Sequence, residues 1–170
     1  MPNPIYVWFT GVNQGKIEGW GSWAGEDDQQ GRDGSSLVQQ FNHEVSIPRD
    51  SQSGMASGRR VHHPIQFVKR IDKASPKLFQ ALCQGERFSD VRFKWYRIDQ
   101  SGAGGQQHYF TIQLEEAVLV SMKQWFPITA DSSRGNYSHF EDCSMTYRKI
   151  TWTWEDGGIT MQDDWKATTV

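Results

Sequence analysis

Five histidines, two cysteines and several clustered carboxylates are the side chains with the chemistry for catalysis or metal binding. His62 and His63 are adjacent in a stretch that alternates apolar and polar residues. Neighbours in a strand point to opposite faces, so these two cannot ligate one metal without a local distortion. Cys83 or Cys143 could be combined with any histidine as nucleophile and base, but nothing in the spacing selects a pair. Cys83 is better read as packing on the inner stripe of a helix. Glu115 and Glu116 meet the same geometric objection as the histidines. Adjacent strand residues do not flank a common substrate, so a bulge or a subunit contact explains them better than an acid–base pair. Glu26, Asp27, Asp28 and Asp33 lie in a polar loop over residues 25–36 and lack the ligand spacing of a calcium loop. No Gly-x-Ser-x-Gly, paired Cys-x-x-Cys or His-Glu-x-x-His occurs. Residues 101–105, rich in glycine, lead into a strand instead of a helix, so a phosphate loop is a poor reading and a flexible hairpin connection a good one. These residues argue against an enzyme and imply no metal and no cofactor.

The elements that must position these side chains are mostly strands. Val61, His63, Ile65, Phe67 and Ile71 share one face of a strand, broken only by Lys69. Pro64 cannot donate to a ladder and puts this part at an edge or a bulge. A helix follows over about residues 75–84, with Ser75 as N-cap and Pro76 at its first position. Leu78 pairs with Leu82, and Phe79 with Cys83 beside them. Gly85 ends it in the left-handed conformation. So short a helix needs a sheet to pack on.

Residues 5–9 form a strand apolar on both faces, so both faces are covered. Residues 17–23 form a second strand, carrying Trp20 and Trp23. Residues 37–47 predict one strand with Leu37, Phe41, Val45 and Ile47 inward and Val38, Gln40, Asn42, Glu44 and Ser46 outward. His43 falls on the inner side, as a hydrogen-bonded core histidine. The polar loop 48–58 has few apolar anchors and is expected to order against a partner. Residues 88–99 place Val91, Phe93 and Trp95 on one face and Asp90, Arg92, Lys94 and Tyr96 on the other. Residues 107–126 are too long for one ordinary strand and predict a bend near Glu115–Glu116, or a strand passing between two sheets. A strand over 143–155, with Trp152 and Trp154 on one face, and a turn at 156–158 precede a short strand and a charged tail at 163–166.

The 170 residues suit one domain, spanning the whole chain, with a sizeable core. A net charge of −2 argues for neither nucleic acid nor an anionic membrane. No apolar run is long enough to insert across a bilayer, and the N-terminal residues lack a secretory pattern. Synthesis in the cytoplasm and exit without a cleaved signal follow as the expectation. The cysteines suggest two free, partly buried thiols. The eight tryptophans suit either a β core or surfaces buried by neighbouring subunits.

In chain order, Phe41-Asn42-His43, Pro48-Arg49-Asp50, Ser53-Gly54, Gly58-x-Arg60, His62 or His63, Pro64 and Asp72-Lys73-Ala74-Ser75-Pro76 form a pattern. It continues with Leu78, Ala81, Leu82 and Gly85, then Tyr147-Arg148-Lys149-Ile150, Trp152-Thr153-Trp154, Gly157-Gly158 and Asp163-Asp164-Trp165. Over nearly its whole length the chain resembles the haemolysin-coregulated protein (Hcp) family. Ala74 stands where a serine is more common. The resemblance implies a mainly β fold: a small β-barrel of two packed antiparallel sheets with one short flanking helix. It implies hexameric rings that stack into the inner tube of the type VI secretion system. Such a tube is capped by a VgrG-type spike, surrounded by contractile sheath proteins, and carries effector cargo in its lumen. The protein is then a structural subunit that is itself exported, and an extra toxin domain is not expected after Trp165. By analogy, residues 48–58 contact the next ring. Pro48, Arg49, Asp50, Ser53, Gly54, Arg59 and Arg60 are the stacking residues, and contact through Arg49, Asp50, Arg59 and Arg60 predicts tubes that shorten in salt. Tyr6, Trp8, Glu115 and Glu116 are assigned to the subunit interface. Polar residues of 88–99 and 107–115 are assigned to the lumen. The competing reading is a monomeric β-sandwich that binds sugar or peptide on Trp20, Trp23, Trp152 and Trp154.

Overall fold

The computed structural model describes residues 3–19, 31–99, 105–128, 130 and 138–165. In chain order the strands are β1 Ile5–Gly11, β2 Gly15–Ile17, β3 Ser36–Asn42, β4 Val45–Ser46, β5 Val61–His62 and β6 Ile65–Arg70. Helix α1 spans Ser75–Gln84. The remaining strands are β7 Arg87–Ile98, β8 Gln106–Glu115, β9 Ala117–Trp125, β10 Phe140–Thr146, β11 Lys149–Trp154 and β12 Ile159–Asp164. The predicted strand over 17–23 is described only at its start, in β2; Trp20 and Trp23 lie outside the described residues.

Strands β1, β7, β9, β10, β6 and β3 pair in that order, and β3 returns to β1, closing a six-stranded antiparallel barrel. Its interior is filled by Phe9, Phe67, Phe88, Phe93, Val91, Ile65, Leu114 and Met145, all at most 1% exposed. The fold is therefore mainly β with one short helix, as the pattern predicted.

Two long bent strands carry the sheet beyond the barrel. β8 and β9 run antiparallel along β7, from Ile98↔Gln106 at one end to Arg87↔Val118 at the other, with one shift of register between Trp95 and Tyr96. They meet at Glu116, whose φ is 50°, a left-handed value that side chains rarely adopt. The predicted bend near Glu115–Glu116 is there. The partner strand was expected to be continuous over 143–155. Instead β10 and β11 are separated at Tyr147–Arg148, opposite the same bend. Both strands fold at one corner, and β8, β11 and β12 form a wing beside the barrel.

Alternation fails where bulges intervene. The pairing of β3 with β6 shifts between Val38 and Gln40. Val38, expected outside, is 5% exposed, and beyond the shift Phe41 packs on Phe93 and Trp95 at 5.1 and 5.0 Å. An extra residue reverses the parity of everything after it. A second shift, between Trp95 and Tyr96, places its extra residue, Tyr109, in β8; Tyr96 keeps the face of Lys94 and is buried there, at 8% exposure, against Tyr6 and Arg32. Val45 and Ile47, expected inside, are exposed, because the chain leaves the barrel after Asn42.

The helix lies against β9 through Leu78, Ala81 and the half-buried Leu82. Its other predicted stripe is corrected: Cys83 is exposed, while Cys143 is buried in the barrel, where burial pushes its thiol up to about 12. The cap is also corrected. Ala74 occupies the cap position and makes no side-chain cap bond, while Ser75 is already helical and Pro76 follows it. The Ser75 hydroxyl instead accepts from the Asp72 amide at 3.0 Å and donates to Glu141. Gly85 closes the helix at φ 64°, as expected.

Lys69, the residue that broke the apolar pattern, points inward. It is fully buried, 2.5 Å from Glu141 and 2.9 Å from Asp72. Asp72 also accepts the Ser36 hydroxyl at 2.5 Å and the Ala74 amide at 2.9 Å. A cation on β6, a carboxylate on β10 and the start of α1 are thus joined by one buried polar cluster.

Candidate functional site

Residues 44–63 leave the barrel as a hairpin arm. The backbone carries its own ladder: His63 N–H donates to Glu44 at 3.0 Å, Ser57 N–H to Pro48 at 2.8 Å and Asp50 N–H to Met55 at 2.9 Å. At the tip, the Asp50 carboxylate accepts the amides of Gln52 and Ser53 at 2.7 and 2.9 Å, and Gly54 turns at φ 69°. Those amides, Ser53 first, hold the Asp50 carboxyl below the usual carboxylate range. The loop predicted to order only against a partner is therefore ordered by its own hydrogen bonds. Ile47 and Met55 on it are 58% and 71% exposed.

The arm is fixed at its root by a chain of polar groups. Arg60 forks onto Asp163 of β12 through Nε and Nη2, and Nη2 also donates to the Asp164 carbonyl at 3.1 Å. His62, 4% exposed, places Nε2 2.7 Å from Asp163 and Nδ1 2.8 Å from the Tyr147 hydroxyl. His43 Nε2 lies 2.7 Å from the same hydroxyl. A carboxylate only accepts, so a singly protonated His62 carries its proton on Nε2. Tyr147 then donates to His62 Nδ1 and accepts from His43. Trp165 packs on His62 and Tyr147 with ring centroids at 5.2 and 6.3 Å. The Arg60 bonds hold the Asp163 carboxyl low against the opposing effect of burial. Burial first, then the Asp163 charge, raises Tyr147; burial, then the charges of His62 and His63, lowers His43.

His43 is the hydrogen-bonded histidine the sequence predicted, and His62 and His63 do point apart, His63 bonding Ser46 at 2.9 Å. Of the four charges assigned to stacking, Arg60 and Asp50 are engaged within the chain. Arg49 and Arg59 are exposed on the arm beside Pro48, Ser53 and Gly54. Tyr6 is 7% exposed in a box with Tyr96 and the buried Arg32, whose guanidinium lies 4.8 and 4.2 Å from the two rings. The Trp8 indole donates to the Asp33 carbonyl at 3.0 Å. Residues 31–35 of the same chain thus supply the cover that the two-sided apolar strand demanded. Glu115 pairs with Lys149 at 2.9 Å, and Glu116 with Arg148 at 2.6 Å and Arg87 at 3.5 Å, all across the corner.

The sequence predicts at 163–166 a charged tail with one aromatic, and the part Asp163 plays under the arm is not in that reading. The available signal was its place in the Asp163-Asp164-Trp165 segment that carries part of the family resemblance. Among the described residues no group of His, Cys, Asp and Glu could hold a metal. The tryptophan platform is not assembled from what is described. Trp152 packs against the core, while Trp154 meets Tyr109 at 5.7 Å under Arg97. The polar residues Asp90, Arg92 and Lys94 line an open groove with Trp8 and Lys16.

A family model described as "Type VI secretion system effector, Hcp" matches residues 6–154. The chain is 44% identical over 171 residues to the "Major exported protein" of Pseudomonas aeruginosa, covering 98% of each. It superposes on a solved Hcp protein with a TM-score of 0.88 at 33% identity, covering 98% of this chain and 100% of that one. Against the secreted protein Hcp3 from Pseudomonas aeruginosa the TM-score is 0.74 at 38% identity, covering 98% and 100%. The chain belongs to the Hcp family of the type VI secretion system.

Proposed function

We propose that this chain is the structural subunit of a type VI secretion inner tube. Six copies close into a ring, rings stack into the tube, and the tube is expelled when a surrounding contractile sheath shortens. A VgrG-type spike caps it, and effectors travel in its lumen. The subunit is made in the cytoplasm, leaves without a cleaved signal, and performs no catalysis.

The observation that carries this reading is the arm. A hairpin held by its own hydrogen bonds, clamped at its root and exposing Ile47 and Met55, projects from a closed barrel that does not need it for its core. Exposed apolar side chains on a rigid projection suit a contact with another molecule. Contact between unlike surfaces of identical copies leaves a free surface at each end, so rings can continue into a tube. Ile159 and Met161 on the outermost strand β12, 70% and 58% exposed, offer a second apolar edge for closure within a ring.

The test is mass in solution by light scattering on a sizing column, with negative-stain imaging of the main peak. The expected result is a mass near six chains and rings with a central hole. A monomer at high concentration overturns the reading.

A further inference from the structure

We infer that Asp163 is the positioning residue of the arm, and that the end of β12 acts as a lock on it. The functional weight of this inference rests on the tube reading above; the lock does not. Four observations converge on it. Asp163 receives both anchors of the returning limb of the arm, Arg60 through a two-pronged contact and His62 at 2.7 Å. The outgoing limb is tied to the same point at one remove, because His43 and His62 share the Tyr147 hydroxyl. Trp165 covers His62 and Tyr147 on the side of solvent. Among the described residues the arm has no comparable anchor beyond its root: the pairing of β4 with β5, the Arg49↔Ala56 bridge and the ladder bonds between its limbs hold those limbs to each other.

The direction of the arm relative to the barrel is therefore set by a strand distant in sequence. Among the described residues β12 is an outer strand, paired with β11 alone. Loosening its end removes both anchors at once, while the ladder inside the arm survives. A half-buried Arg–Asp–His cluster suits this task because its geometry is directional, and a fork onto a carboxylate fixes orientation as well as distance.

The experiment is limited trypsin digestion of the full-length Asp163→Asn protein. Arg49 and Arg59 lie exposed on the arm and Arg87 in a barrel strand, so one digest reports both regions. Cleavage of a folded protein follows the population of its locally open form. The expected result is that cleavage at Arg49 and Arg59 quickens by about tenfold while cleavage at Arg87 stays at the parent rate. Equal rates for variant and parent at the arm sites overturn the lock. So does a rise shared by Arg87, which reports general unfolding. If Asp163→Asn does not fold, Arg60→Gln opens the same contact from the arm side and carries the same two outcomes. The digest reads the lock even in a protein that sizes as a monomer, so failure of the lock and failure of the tube reading are separable.

Discussion

Lys69 interrupts an otherwise apolar face, and that interruption marks an internal ion cluster. Its ammonium group, with no exposure, balances Glu141 on the neighbouring strand and Asp72 at the start of the helix. The two carboxylates outnumber the one cation, and the helix start contributes: the Ala74 amide donates to Asp72 at 2.9 Å, and the partial positive charge of a helix N-terminus favours an anion there. Removing one member of a buried pair leaves the other as an uncompensated charge, costing about 3–5 kcal/mol. Lys69→Met should therefore lower the melting temperature by roughly 10 °C in a domain of this size. Adding Glu141→Leu should recover much of that loss, since a buried ion pair replaced by apolar residues is often neutral. Thermal unfolding of the two variants checks this; a loss below about 1 kcal/mol in Lys69→Met would show that the cluster contributes little. Sequence parity located Lys69 on the inner face, but no local pattern in its own strand names Glu141, which lies 72 positions later and meets it only through the pairing of β6 with β10.

At the scale of elements, the two bent strands carry the architecture. Glu116 sits at φ 50°, where an ordinary side chain is strained by about 1–2 kcal/mol relative to glycine. Its carboxylate contacts Arg148 and Arg87 across the corner, so the side chain has a use that glycine would forfeit. Alanine would lose those contacts and keep the strain. Glu116→Gly should consequently be more stable than Glu116→Ala by about 1 kcal/mol in urea unfolding, and Glu116→Val should be the least stable of the three. Alanine matching glycine would remove strain from the account. The sequence disclosed this corner because twenty residues of one parity are too long for a single strand. It disclosed the helix through Pro76 and Gly85, whose backbone needs are local. It misled wherever an extra residue shifted the parity. After Val38 the inward and outward sets exchange, and nothing in the composition of Val38-Gln39-Gln40 announces that. The arm was legible as a polar, glycine-containing segment, but its order was not. The bonds that make it stiff are backbone to backbone and carry no side-chain signature.

At the scale of the whole molecule, the question is which forces remain for contact with another copy once the chain has satisfied its own groups. Four charges around the arm were assigned to stacking, and two of them, Asp50 and Arg60, are committed within the chain. Arg49 and Arg59 remain, both cationic, on an arm that also exposes Ile47 and Met55. Two kinds of side chain, whose contacts with another copy would respond differently to salt, therefore coexist on one projection. Attraction between exposed charges fades as the screening length shrinks from about 10 Å at 0.1 M to about 3 Å at 1 M. Burial of apolar surface does not weaken this way. Each exposed pair contributes no more than about 1 kcal/mol, but a ring of six copies would repeat each of the two arginine contacts six times, which would make a modest pair decisive for stacking. Raising the salt concentration should thus shorten assemblies larger than one ring and leave the ring itself intact. In Arg49→Gln/Arg59→Gln, assemblies should be shorter at low salt and should no longer respond to its addition. Sedimentation and negative-stain length distributions measure both. Assemblies of parent and variant that shorten equally in salt would remove these two arginines from the contact, and assemblies that lengthen would make stacking an apolar contact of Ile47 and Met55.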